Sequence, residues 1–172
     1  FGFKAEYNAN HRLFNKSLGG GSLLDIGIYP LFISLLLLGV PDATEATAFM
    51  TDTGVDASCE MNLHYSNGVD AILKSTITED TPTEAIITGE KGSIIMHKPF
   101  HHCQSVTVKT GDDEEIIDLP YEGFGYLFEI EEVNSCIAAG RLESSKLPLK
   151  ISLELFMTME NIMKEINLEY HQ

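Results

Sequence analysis

The most constraining feature of the sequence is a strict two-residue alternation that leads into an Asn-Gly pair and resumes after it. Within residues 57–65 every second side chain is apolar and those between are polar, and after Asn67-Gly68 the same spacing continues through Val69, Ala71, Leu73, Ser75 and Ile77. A period of two places one set of side chains on one face of a strand. Asn-Gly between two such segments favours a tight hairpin turn. The sequence therefore predicts an antiparallel hairpin with one face in a core.

More short alternating segments follow, at residues 84–88, 93–97, 105–109 and 115–119, and residues 1–8 alternate as well. Because short turns without helices join the consecutive strands, they must be largely antiparallel. We therefore predict the fold class α+β: one open, mostly antiparallel β-sheet of six or so strands, with helices packed on one face. A sheet of this kind leaves its other face for water or for a second copy.

Helical segments flank the predicted strands. An apolar run over residues 22–38 ends at Gly39 and Pro41, which together form a helix stop signal. Pro30 lies inside this run, so the regular helix is predicted to begin near Ile28. Apolar residues recur at helical spacing from Tyr126 to Ile137 and again after Pro148, and these patterns predict two amphipathic helices.

Charge and cysteine content exclude several classes of function. The chain has 172 residues, with 11 Lys+Arg against 26 Asp+Glu, for a formal charge of −15. Such a chain repels phosphate backbones, so no nucleic acid partner is expected. The apolar run at residues 31–38 is too short to cross a bilayer, so no membrane association is expected. Three separated cysteines without a CxxC pair favour free thiols in a reducing compartment, and we expect a cytoplasmic protein.

The beginning of the chain also carries information. Its first residues, Phe1-Gly2-Phe3-Lys4, include no initiator Met and no signal-peptide pattern. We therefore expect that the chain begins inside a larger protein.

The strongest candidate for chemistry lies between the triplet Gly19-Gly20-Gly21 and Pro30. Asp25 is the only charged residue between Lys16 and Asp42, and it precedes Tyr29 by four positions. On a helix these two side chains would be neighbours, about 5–6 Å apart at Cβ, and a carboxylate with a phenol can bind and deprotonate an alcohol. The alternative is that Asp25 caps the helix and Tyr29 belongs to the core, which are the commoner roles of such residues.

Other candidates depend on weaker signals. His11 and Arg12, in the loop before the glycines, could reach a cleft; the alternative is a surface loop. A local group of metal-ligand types occurs at His97, His101, His102 and Cys103. Spacing alone does not build a tetrahedral site, so we predict a solvated loop and no metal.

Several ordered motifs resemble one family. The segments GGGSLLDIGIYPL, LLLLGVP, TGVD, ITGEKGSI and GYLFEIEEVNSCIAAG are similar to the C-terminal domain of the glucose–fructose oxidoreductase / inositol dehydrogenase / MocA (Gfo/Idh/MocA) family. The resemblance extends over about residues 3–170. Sugar and inositol dehydrogenases often have His at the position of Tyr29 and Asp at that of Phe32. Tyr29 resembles the dihydrodiol / D-xylose dehydrogenase-like subgroup and suits a less polar substrate.

The resemblance implies an architecture and a cofactor. Residues 1–172 would form a single C-terminal substrate-binding and oligomerisation domain, of the dihydrodipicolinate-reductase-like type. An N-terminal Rossmann domain, absent from this chain, would bind NAD or NADP and supply the catalytic Lys. Gly19–Gly21 lack the spacing of a dinucleotide fingerprint. No cofactor is therefore expected on this chain, which would be inactive alone and would form a homodimer or higher oligomer through its sheet face.

The resemblance also implies a reaction and roles for residues. The full-length enzyme would be an oxidoreductase acting on CH–OH or CH–CH groups, which transfers hydride between the nicotinamide and a sugar, polyol or dihydrodiol hydroxyl. Tyr29 and Asp25 would be catalytic, and the substrate-binding residues would be His11, Arg12, Gly20 and Gly21. The alternative is a non-catalytic sensor or dimerisation domain of the same fold. The presence of both Asp25 and Tyr29 favours the enzyme.

Overall fold

The structure is a computed structural model that describes residues 1–170. The chain forms two compact units: the first comprises Phe1–Thr81 and the stretch from Lys150 onward, and the second is Pro82–Leu149. The strands within residues 1–170 are β1 (Ala43–Met50), β2 (Asp56–His64), β3 (Asp70–Thr76), β4 (Ala85–Gly89), β5 (Gly92–Met96), β6 (Ser105–Thr110) and β7 (Asp113–Asp118). The α-helices in the same range are α1 (Ile28–Leu38), α2 (Tyr126–Ala138) and α3 (Leu149–Glu165).

The first unit is built on the hairpin that the alternation predicts. Strands β1, β2 and β3 form an antiparallel sheet in that order, with Leu63 opposite Ala71 across the hairpin. The turn closes where the Tyr65 amide donates to the carbonyl of Val69 over 3.0 Å. The predicted Asn-Gly hairpin is confirmed.

One face of this sheet carries the larger core. Cys59, Met61 and Leu63 of β2 are buried against α1, represented by Leu31, and against α3, represented by Ile162. The regular helix begins at Ile28 as predicted, and Pro30 is its third residue. The opposite face of β2 carries Ser, Glu, Asn and His side chains. Antiparallel strands with helices on one face confirm the α+β class for this unit.

The second unit has a sheet of its own. Strands β4 to β7 form an antiparallel meander in chain order. The expectation of one continuous sheet is therefore wrong: within residues 1–170 the strands divide into a sheet of three and a sheet of four. Periodicity identifies strands but not the point at which pairing stops, which explains the difference.

The predicted strand at residues 1–8 is reduced to two isolated bridges, Gly2 with Thr76 and Lys4 with Thr78. This segment runs beside the end of β3, where Phe3 donates to the carbonyl of Thr76 over 3.1 Å. The bridge at Gly2 is parallel and that at Lys4 is antiparallel, so no regular ladder develops.

The segment Lys16–Leu38 is the only one among the described residues that is long and apolar enough to cross a membrane, with a mean hydropathy of 1.9. Half of its most apolar window is buried inside the fold. Core helices of soluble proteins have the same properties, so this segment is weak evidence for a membrane span.

We predict that substitutions on the two faces of β2 differ in their effect on stability. Leu63 is fully buried, so Leu63→Ala leaves a cavity and should lower the free energy of unfolding by about 2–5 kcal/mol. Asn62→Ala, on the opposite face of the same strand, should change it by no more than about 0.5 kcal/mol. Urea unfolding followed by circular dichroism measures both, and equal losses would contradict this assignment of the core face.

The second unit contains a carboxylate whose contribution to stability depends on pH. Glu132 of α2 accepts hydrogen bonds from Lys146 (2.8 Å), Ser144 (2.7 Å) and Cys136 (3.4 Å). The Lys146 ammonium, followed by the Ser144 hydroxyl, lowers the pKa of Glu132 to about 2 from 4.5. A lowered acid pKa means that the stabilisation is present above pH 4.5 and is lost as the pH falls through about 2.

We therefore expect Glu132→Gln to lower the melting temperature at neutral pH. The deficit relative to the unaltered chain should shrink as the pH falls from 4.5 towards about 2. Thermal unfolding across this range, with Glu129→Gln on the exposed side of α2 as the control, is the measurement. A deficit that stays constant with pH would show that Glu132 does not act through its charge.

Candidate active site

Asp25 lies in an unusual turn at the start of the apolar helix. Residues Leu23–Gly27 form a π-helical turn that runs directly into α1. Such turns are rare and often occur at functional sites. A Cβ atom on Gly27 would lie 3.1 Å from the Ser75 hydroxyl of β3, so glycine lets this turn pack closely on the sheet. The structure thus shows a π-helical turn directly before the predicted helix start at Ile28.

The Asp25 carboxylate is paired with Arg12. Arg12 Nη1 donates to Asp25 Oδ1 over 2.5 Å, and the Asp25 side chain is 16% exposed whereas that of Arg12 is 58% exposed. Arg12 comes from a short 3₁₀ turn, Arg12–Phe14, whose first amides are capped in part by His11 Nδ1. The guanidinium therefore balances a largely covered carboxylate while it remains open to solvent itself.

The capping alternative for Asp25 is wrong, because Asp25 lies inside the π-helical turn and its carboxylate pairs with Arg12; a different carboxylate caps the start of the turn. Asp56 Oδ2 accepts from the backbone amide of Leu23 over 2.7 Å at the start of the π-helical turn. The core alternative for Tyr29 is wrong as well: its side chain is 41% exposed, and its ring lies against Phe1 with centroids 5.6 Å apart. Asp25 and Tyr29 thus remain four residues apart on one accessible segment.

The glycine triplet has a structural explanation. Gly20 and Gly21 are buried, and a Cβ on Gly20 would lie 2.6 Å from the Arg12 carbonyl oxygen. Their amides donate within the chain, Gly20 to the carbonyl of Asn15 (3.0 Å) and Gly21 to that of Leu13 (2.8 Å). The triplet therefore brings the Arg12 turn against the helix start, and it does not offer a row of free amides to a phosphate group. Substrate binding by His11, Arg12, Gly20 and Gly21 stays a prediction.

The histidine-rich segment lies in the second unit. His97 Nε2 lies 2.8 Å from the Thr107 hydroxyl, and Cys103 Sγ donates to the Ser105 carbonyl over 2.8 Å. Across residues 1–170, no three His, Cys, Asp or Glu side chains come together in a way that could hold a metal ion.

Sequence reasoning found the two central side chains but not their support. A lone carboxylate in an apolar segment must be paired, capping or functional, and that rule pointed to Asp25. Its partner Arg12 lies 13 residues earlier, across an irregular loop, where no helical or strand spacing applies. Asp56 lies 34 residues after Ser22, which donates to it, and in the sequence it stands out only as a member of the TGVD motif.

Comparison with known proteins gives a consistent result. A family model for the GFO/IDH/MocA C-terminal domain matches residues 1–95. Trans-1,2-dihydrobenzene-1,2-diol dehydrogenase of Xenopus tropicalis is 32% identical, over 92% of this chain and 51% of that protein. D-xylose 1-dehydrogenase (NADP(+)) of Hypocrea jecorina is 30% identical, over 94% of this chain and 47% of that protein. Both relatives are of the subgroup that the sequence resembles.

A solved structure shows the same fold. The aldose-aldose oxidoreductase of Caulobacter crescentus, complexed with glycerol, matches with a TM-score of 0.83 at 23% identity. The match covers 96% of this chain and 51% of that one. The chain therefore spans about half the length of the proteins it matches.

We predict that the Arg12–Asp25 pair contributes little to stability. Because Arg12 is mostly exposed, solvent screens the interaction, and Arg12→Gln should change the free energy of unfolding by less than about 1 kcal/mol. Lys150→Gln, which breaks the exposed pair with Glu154, is the matched control. Urea unfolding of both variants is the measurement, and a loss several times larger for Arg12 would make this pair a structural element.

Proposed function

Because the chain belongs to the GFO/IDH/MocA C-terminal domain family, we propose that it is the substrate side of an NAD(P)-dependent dehydrogenase. The enzyme transfers hydride between a nicotinamide and a hydroxyl of a sugar, polyol or dihydrodiol. The observation that carries the proposal is the exposed Tyr29 phenol on the same short segment as the Arg12-paired carboxylate of Asp25. Both compact units belong to one C-terminal domain in this proposal.

The cofactor site lies outside this chain in the proposal. The buried glycine triplet, whose amides are already bonded, does not fit a dinucleotide, so no described segment of residues 1–170 is assigned to it. A nicotinamide supplies the hydride acceptor or donor. The printed name of the D-xylose relative includes NADP(+), which supports a nicotinamide cofactor without deciding between NAD and NADP for this protein.

The residues of this chain handle the proton in the proposed reaction. Oxidation of an alcohol requires a group that takes the hydroxyl proton while hydride leaves carbon. We assign this role to Tyr29, and the exposure of its side chain beside the Phe1 ring supports the assignment. The Arg12 guanidinium balances the charge of the Asp25 carboxylate on the same segment.

The substrate side of the site is part apolar and part charged. The Phe1 ring faces Tyr29, and Phe32 lies one turn further along α1. The exposed Arg12 offers fixed donors that suit the vicinal hydroxyls of a diol or pentose. These features support a substrate with one apolar edge.

We expect Tyr29→Phe in the full-length protein to lower kcat by about 10²–10⁴-fold, because it removes the proton acceptor. Turnover of trans-1,2-dihydrobenzene-1,2-diol and of D-xylose with NADP⁺ is the assay. Tyr7→Phe, an exposed tyrosine outside the segment, should keep normal turnover. Normal turnover by Tyr29→Phe would overturn the assigned role, and the chain of residues 1–172 alone should show none.

We also propose that the protein is a cytoplasmic homodimer that uses a sheet face. The outer face of β1–β3 exposes Phe49 (71%) and Ile72 (83%) on its two edge strands. Exposed apolar side chains of this size on a flat sheet favour association with a second copy. The cysteines Cys59, Cys103 and Cys136 are free, which supports a reducing compartment.

Sedimentation tests the dimer. The chain should sediment above its monomer mass of 19.0 kDa, and Ile72→Lys should return it to that mass because a buried ammonium is unfavourable in the interface. Val40→Lys alters an exposed apolar residue just beyond α1 and should leave the dimer intact. A clean monomer of the unaltered chain at high concentration would overturn the proposal.

A further inference from the structure

We propose that Asp56 is a positioning residue for the candidate active site, which fixes the geometry of the turn that presents Asp25 and Tyr29. The inference rests on the proposed function, since it assigns Asp56 a role in the reaction of that site. Asp56 does not touch the substrate in this proposal. It acts through the backbone of the π-helical turn.

The hydrogen bonds of Asp56 join the sheet to the helix start. Asp56 is the first residue of β2 and is fully buried. Its Oδ2 accepts from the Ser22 hydroxyl and from the Leu23 amide, each over 2.7 Å. The Ser22 hydroxyl also lies 3.0 Å from that of Ser75 in β3. One carboxylate oxygen thus ties Leu23, the first residue of the π-helical turn and two residues before Asp25, to β2, and the Ser22 hydroxyl links the same point to β3.

The same carboxylate also reaches the loop that carries Arg12. A Cβ atom on Gly21 would lie 2.2 Å from Asp56 Oδ1, so this oxygen is packed directly against the Gly21 backbone. The Gly21 amide donates to the carbonyl of Leu13, next to Arg12, over 2.8 Å. Tyr170 closes the same region, because its hydroxyl donates to the carbonyl of Gly20. Asp56 therefore sits where the turn with Arg12 meets the turn with Asp25.

Burial of the Asp56 carboxylate lowers the stability of the fold, which points to a role for this residue beyond packing. Asp56 Oδ1 has no hydrogen-bond partner among residues 1–170, although it is fully buried. A buried carboxylate oxygen without a partner costs free energy, and burial raises the pKa of Asp56 above its ordinary value. A neutral acceptor would cap the helix at a smaller cost. The carboxylate adds a stronger, shorter pair of bonds at the one turn from which Asp25 projects.

The test compares Asp56→Ala with a variant of matched instability in the full-length protein. Misplacement of reacting groups by about 1 Å can cost 10²-fold in rate, so we expect Asp56→Ala to lower kcat by about 10²-fold with the KM for NADP⁺ unchanged. Leu63→Ala weakens the core away from the turn and should keep kcat. Asp56→Asn retains a neutral acceptor with weaker bonds and should recover only part of the rate. Loss of kcat in both alanine variants, or in neither, would overturn the proposal.

A second measurement on the 172-residue chain separates this inference from the proposed function. In two-dimensional NMR, Asp56→Ala should shift the amide signals of Leu23, Asp25 and Tyr29, whereas Leu63→Ala should leave these three signals in place. If the full-length protein fails to oxidise either substrate while these signals move, the proposed function fails and the positioning stands. Unmoved signals overturn the positioning whatever the activity. If Asp56→Ala does not fold, Ser22→Ala removes one of the two bonds and is measured in its place.

Discussion

The structure of the candidate site depends on one buried carboxylate that binds the beginning of a helix. The Asp56 oxygen that accepts from Ser22 and Leu23 occupies the place where unbonded helix amides would otherwise be buried. Because Asp56 of β2 caps the start of the helix, Asp25 inside the turn is available for other contacts. The capping acid and the presented acid are therefore different residues, and this leaves Asp25 available for the role proposed for it.

The presented acid and phenol lie on a rigid support with little polar surface. Helix α1 packs against the hairpin face through Leu31, and the π-helical turn meets β3 at Gly27. Sites on packed helices and strands hold their geometry better than sites on loops. The loop contributes Arg12, whose exposed guanidinium pairs with the largely covered carboxylate of Asp25.

Local pattern was sufficient for much of this picture, and long-range pairing was not. Alternation with Asn67-Gly68 predicted the hairpin, and Gly39 with Pro41 predicted the end of α1, because these signals act between neighbouring residues. The division into two sheets, the Arg12–Asp25 pair and the Asp56 cap each depend on residues brought together by the fold. No spacing rule reports such contacts, although the isolation of Asp25 showed that it required an explanation.

The central claim is that the Tyr29 hydroxyl meets the reacting hydroxyl of the substrate. A crystal structure of the full-length protein with NADP⁺ and trans-1,2-dihydrobenzene-1,2-diol tests it most directly. The account predicts that Tyr29 Oη lies within about 2.6–3.2 Å of the hydroxyl whose carbon faces the nicotinamide. A diol bound with that hydroxyl against other groups, and with Tyr29 turned to solvent, would contradict it.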